Sequence, residues 1–144
     1  MSKIPPTRDA FRVFRTLTTR WFDNDVYAHM NNAVHYQLFD TVVNGHLLEK
    51  GVLDIKNSDS IFLVVESGCA YFGEIAFPDV ISAGLRVAKL GRSSVKMELG
   101  LFRNDDDTAA AEGFFVHVYV DREDHRPTDI PAATRAALEG LLDG

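Results

Sequence analysis

The chain is short of cysteine, of long apolar runs and of basic residues, and each shortage excludes something. Cys69 is the single cysteine among 144 residues, so no internal disulfide can form. That fits a reducing compartment, and Cys69 reads as a small core residue rather than a reactive thiol. No stretch approaches the ~20 apolar residues that a membrane-spanning helix needs. Residues 1–8 carry no apolar run behind a basic region, so the expectation is a cytoplasmic protein with no leader and no membrane association. Lys and Arg number 15 against 21 Asp and Glu, a formal charge of −6. A general nucleic-acid binder needs a basic face against the phosphates, so this balance argues against nucleic acid as a partner. A small anionic ligand needs only a few local cations and stays open. There is no G-x-S-x-G elbow, G-x-G-x-x-G or P-loop. Asp23, Asp25, His29 and His35 match no H-E-x-x-H, EF-hand or C-x-x-C spacing, so no metal is expected.

What is present is ordinary globular composition, 46% hydrophobic and 25% charged. A chain of this length buries a core without disulfides or structural metal, so residues 1–144 read as a single domain. Residues 1–8, with Pro5 and Pro6, read as a lead-in. Phe11, Val13, Leu17 and Trp21 share one parity, which predicts a strand. Asn31 or Asn32 can cap a helix in which Tyr36, Phe39, Val43 and Leu47 recur at three- and four-residue spacing, with Gly51 placed to end it. Gly45, inside that helix, is expected at a close contact with a sheet. A β-branched and aromatic run from Ile61 to about Phe72 predicts a buried strand. Phe77, Pro78 and Asp79 mark a turn. Alternation through Ile81, Ala83, Leu85 and Val87, then Val95, Met97, Leu99 and Leu101, then Phe114, Val116, Val118 and Val120, predicts three more strands. Residues 104–108 form a turn, and residues 131–142 read as a terminal helix opened by Pro131. One long helix against a mainly antiparallel sheet is an α+β arrangement. One helix covers only part of a sheet face, so pairing with a second copy is expected.

The chemistry is concentrated in residues 20–36, which hold two aspartates, two histidines and two asparagines where a strand ends and a helix begins. Helix starts present unpaired N–H groups, and a carboxylate beside them can act as base or nucleophile on a carbonyl. Asp25 reads either as that carboxylate or as a loop aspartate bonded to local N–H groups. Asp23 reads as structural, paired with Arg20. His29 reads as a loop brace or a substrate contact, Asn31 and Asn32 as caps and braces before catalysts, Tyr36 as pocket wall or core, and His35 as an exposed helical side chain. Arg86, Lys89, Arg92 and Lys96 bracket Gly91 and form a local cationic patch or a solvated turn.

Arg20, Trp21, Asp23, Asp25, His29, Asn31, Asn32 and Tyr36 follow the form R-W-x-D-x-D, H-x-N-N, Tyr, and Tyr71, Pro78 and the segment Leu90-Gly91-Arg92-Ser93-Ser94 continue the match. In this the chain resembles the hotdog-fold acyl-CoA thioesterases of the 4-hydroxybenzoyl-CoA thioesterase-like group. The resemblance implies an antiparallel sheet wrapped around one long central helix, a homodimer or homotetramer with joined sheets, and two sites at the subunit interface. It implies no cofactor beyond the coenzyme A carried by the substrate. It makes Asp25 the catalytic carboxylate, with His29 and Asn32 beside it. Asn31, Tyr36, Arg92 and Ser93 are the expected substrate contacts, and Glu66 is a reserve carboxylate. Phe22 and Tyr27 depart from the smaller residues common in the group. The amides of residues 31–33 are a candidate oxyanion hole. An enoyl-thioester hydratase or dehydratase using Asp25 and His29, and a non-catalytic acyl-thioester-binding module, are the rival readings.

Overall fold

The computed structural model describes residues 4–142. In chain order it contains β1 (Val13–Thr18), α1 (Asn32–Glu49), β2 (Ser60–Tyr71), β3 (Val80–Leu90), β4 (Ser94–Arg103), β5 (Ala111–Asp121) and α2 (Ala132–Glu139). The five strands make one antiparallel sheet in the order β1-β3-β4-β5-β2. The sheet wraps α1, the α+β hotdog arrangement that the resemblance implied. Phe39, Val42, Val43 and Leu47 of α1 are buried in one core with Ile81, Leu85, Val95, Met97, Leu99 and Leu101 of the sheet. Tyr36 packs at its margin. Close approach of helix to sheet depends on Gly113, where a Cβ would come within 2.2 Å of the Phe39 ring. Gly51, at φ 72°, takes the left-handed conformation after the end of α1.

Register gives the sheet two distinct ends. Thr18 pairs with Val80, Ile81 with Arg103, and both Leu101 and Tyr71 with Ala111, so these residues share one end. Leu90 pairs with Val95, Ser94 with Val118 and Ser60 with Asp121 at the other. The start of α1 lies at the Tyr71 end, since Met30 N–H donates to the Ile75 carbonyl just beyond β2.

Three expectations are corrected. The first strand stops at Thr18, because residues Trp21–Asp23 turn into a short 3-10 helix held by the Asp23 carboxylate. The run at Ile61–Val65 is not buried: Val64 is 50% and Val65 61% exposed. β2 is an edge strand paired only with β5, and a register shift between Val64 and Glu66 disturbs its alternation there. In β5 the core-facing parity is that of Phe115 and His117, while Phe114, Val116 and Val118 are only half-buried. Apolar residues occupy both parities of β5, so alternation alone could not choose between its faces. At Gly45 the helix meets the sheet closely, as expected, through the Arg15 side chain of β1. The Arg15 guanidinium lies 3.1 Å from where a Cβ would sit and pairs with Glu49 at 2.6 Å. Among the described residues, no helix is long and apolar enough to cross a membrane.

Candidate active site

The polar window folds as a braced loop between β1 and α1. Asp23 is buried, and its carboxylate accepts from the Arg20 backbone N–H at 2.8 Å and from the Arg20 guanidinium at 2.7 Å and 3.0 Å. The Asp23 carbonyl accepts the Asn31 N–H at 2.9 Å, closing the base of the loop. Asn24 Oδ1 accepts the Phe77 N–H at 3.1 Å, tying the loop to the turn before β3. At the tip, Asp25 N–H donates to the His29 carbonyl at 2.8 Å and Ala28 N–H to the Asp25 carbonyl at 3.2 Å. Ala28 takes φ 66°, which costs an L-residue about 1–2 kcal/mol and is held in place by these bonds.

This bracing presents Asp25 half-buried at an open depression of about 480 Å³, lined by Trp21, Asn24, Asp25, Val26 and Ala28. Asp25 Oδ1 accepts the Tyr27 N–H at 2.8 Å, and Oδ2 faces His29 Nδ1 at 3.4 Å. The His29 ring also stacks on Tyr27, with centroids 6.1 Å apart. Trp21, Phe22, Val26 and Tyr27 are exposed around the loop, an apolar collar for a charged centre.

Asn31 is the cap of α1. Its Oδ1 accepts the Ala33 N–H at 2.9 Å and its carbonyl accepts the Val34 N–H at 2.9 Å. The expected trio of free amides therefore narrows to one. Asn31 and Ala33 are engaged, and among the described residues no acceptor meets the Asn32 N–H. That donor sits at the positive end of an 18-residue helix.

Of the other expected site residues, Tyr36 is half-buried edge-on to Phe39, a wall of the core. His35 corrects its expectation: it is buried, 4% exposed, with its ring edge-on to Tyr71 at 4.8 Å. Burial pushes its pKa down, against the upward pull of the Asn31 and Asn32 carbonyls. Glu66 is exposed midway along the β2 edge. Arg92 and Ser93 stand at the opposite end of the sheet from Asp25, because β3 carries the chain there. Arg92 is paired with Asp129 at 2.5 Å, and Ser93 gives its carbonyl to Tyr119 N–H at 2.7 Å. The cationic patch is also broken up by Arg86, which bonds Glu98 at 2.9 Å and approaches Glu112 at 3.7 Å. Cys69 is half-buried, and burial pushes its thiol up to about 11, so it is no nucleophile at neutral pH. One chain thus brings Asp25 and His29 together on the loop that Asn31 and Asn32 carry into α1, sets Tyr36 against Phe39, and leaves Arg92 and Ser93 remote. The sequence reading missed the tether made by Asn24 and the contact of His35 with Tyr71; only the position of Asn24 between two aspartates hinted at the first.

The chain matches the thioesterase-like superfamily over residues 19–138. The PA5185 protein of Pseudomonas aeruginosa is 48% identical, with 97% of this chain and 98% of that one covered and a TM-score of 0.94. A thioesterase from Thermus thermophilus, solved in complex with coenzyme A and Zn, is 28% identical over 92% of this chain and 96% of that one, with a TM-score of 0.76. The PA2801 protein of Pseudomonas aeruginosa is 26% identical over 88% and 98%, with a TM-score of 0.82. No curated protein matches the chain.

Proposed function

The chain belongs to the thioesterase-like superfamily, and from that premise we propose that it hydrolyses acyl-CoA thioesters to the free acid and coenzyme A. The observation that carries this reading is a carboxylate, Asp25, presented at an open depression on the loop that runs into α1, whose first residue Asn32 keeps its N–H unused. The thioester oxygen accepts from that N–H, which favours the charge developing on it during attack. Asp25 either takes a proton from water as the water attacks the carbonyl carbon, or attacks that carbon itself and is released from the anhydride by water. In both routes the C–S bond breaks, the sulfur leaves with the bonding pair and is protonated to the thiol, and water supplies the new C–O bond. His29, facing Asp25 Oδ2, orients the carboxylate. The relative bound to coenzyme A supports this choice of leaving group.

The working unit is a homodimer joined through β2, which has one free edge and exposes Val64 and Val65 along it. Antiparallel pairing of two β2 edges carries the partner's Arg92 and the partner's Ser93 to the end of the sheet where Asp25 lies. There they meet the nucleotide of the substrate. A homotetramer would stack two such dimers. The test is thiol release from a panel of aliphatic and aromatic acyl-CoA esters: turnover supports hydrolysis, and no release from any ester contradicts it. The contact between Asp25 and His29 also favours proton transfer in a hydratase. Hydration of crotonyl-CoA without thiol release would establish that reading instead.

A further inference from the structure

Two adjoining cavities lie between the last turns of α1 and the β1 side of the sheet, at the opposite edge from β2. The larger, of about 320 Å³, has an apolar side at Val13, Val42 and Leu85 and a charged side at Arg15, Glu49 and Lys50. The smaller, of about 150 Å³, reaches α2 at Ala136 and Ala137. The two share Val13, His46 and Lys50. Neither has a lining residue in common with the depression at Asp25. His46 stands about 21 Å along the helix axis from Asn32.

The polar groups here are brought together and only partly used. Gly45 is disfavoured inside a helix, and its missing side chain makes room for Arg15. A Cβ at Gly45 would come 3.1 Å from Arg15 Nε and 3.2 Å from Cζ. Arg15 donates one N–H group to Glu49 at 2.6 Å, and among the described residues no acceptor meets the rest of the guanidinium. The exposed Lys50 ammonium has no ion-pair or hydrogen-bond partner among the described residues. His46 is 8% exposed and buries Nε2 without a partner, an arrangement that folded chains avoid because the nitrogen has given up water for nothing. The nearby helix-end carbonyls do not need it. Those of His46, Leu47 and Leu48 accept the N–H groups of Lys50, Val52 and Gly51.

Charge and lining together select a ligand. Glu49 offsets Arg15, so Lys50 leaves one positive charge unmatched. A metal ion would find only His46 and Glu49 to ligate it, with two cations beside them. Inorganic phosphate would leave the apolar side uncovered. A monoanion with a hydrocarbon body fits both sides. We propose that these cavities bind a small monocarboxylate, its carboxylate among Lys50, Arg15 and His46 and its hydrocarbon part against Val13, Val42 and Leu85. The carboxylate accepts from the ammonium and the guanidinium, and an oxygen reaching the His46 ring gives Nε2 the partner it lacks. The site is clear of the β2 edge through which the dimer is proposed, and it does not rest on the thioesterase reading.

The test is calorimetric titration of the whole protein with hexanoate and benzoate, and with hexanol and inorganic phosphate for comparison. Saturable binding of at least one of the two acids is expected, about tenfold or more tighter than that of hexanol or phosphate. Lys50→Gln changes an exposed side chain and should weaken the acid about tenfold or more. Asp25→Asn should leave its affinity unchanged. In NMR spectra of the imidazoles, one histidine signal should move with added acid and be missing from His46→Phe. If His46→Phe does not fold, Lys50→Gln decides alone. No saturable binding of either acid at millimolar concentration overturns the proposal, as does hexanol or phosphate binding as tightly as the acids. An affinity that Lys50→Gln leaves unchanged overturns the location. An affinity lost in Asp25→Asn puts the acid at the catalytic loop and overturns it too. Each of these results reads the same whether or not the protein hydrolyses thioesters.

Discussion

Asp25 is held by its neighbours without depending on its charge. Its Oδ1 accepts the Tyr27 N–H, a bond that an asparagine oxygen also makes. Removing the charge should therefore spare the loop and remove the chemistry. The buried histidines are the opposite case. His35, His46 and His117 each bury a ring nitrogen that meets no partner among the described residues. Burial pushes the pKa of all three below the ordinary value. Lys50 and Arg15 add to this at His46, while nearby Asp40 works against it at His117. Each is neutral in the fold and takes up a proton on unfolding once the pH drops below about 6.5. The unfolded chain then binds more protons, so stability falls with pH from that point down to the depressed folded value, by at most about 1.4 kcal/mol per pH unit for each histidine. The melting temperature should fall between pH 7 and pH 5, and His117→Leu should make the fall shallower. A slope that His117→Leu does not change would contradict this account of the site. The active-loop residues were legible because they sit together in one short window. The burial of His35 was not, because Tyr71, which covers it, arrives from a strand 36 positions further on.

Helix α1 joins sequence, fold and site. Its core stripe at Phe39, Val43 and Leu47 was readable from spacing, as was its stop at Gly51. The same cap that starts the helix decides which amide stays available, since Asn31 consumes the Ala33 N–H and leaves that of Asn32. Asn31→Ala should cost about 0.5–2 kcal/mol in urea unfolding and reduce turnover, by loosening the geometry around the Asn32 donor. Wild-type stability in that variant would show that the cap bond carries no weight. Strands were harder to read than the helix. β2 and β5 carry apolar residues at both parities, so the pattern gave their existence and left open their faces, and only the pairing order places β2 at the edge. The adjoining loop contributes through Asn24, which no periodicity marks.

The whole molecule places the Asp25 loop and the Arg92–Ser93 turn at opposite ends of one sheet. The layer arrangement followed from pattern. The remoteness of Arg92 and Ser93 did not, because it depends on strand order and register. The proposed β2-joined homodimer would bring the two ends together. Val65→Lys, which puts a charge on the free edge, should convert the dimer to monomer in light scattering and abolish thioester turnover, while the circular dichroism of the chain stays native. A Val65→Lys protein that remains dimeric would move the interface elsewhere and separate the two ends of the sheet again.

The most direct test of the central claim is thiol release from acyl-CoA esters by the wild type and by Asp25→Asn, with thermal unfolding of both. The account expects wild-type turnover, a loss of about 10²–10⁴-fold in the variant, and melting temperatures that nearly coincide. Equal turnover in the two proteins would contradict it, as would a variant that loses its fold along with its activity.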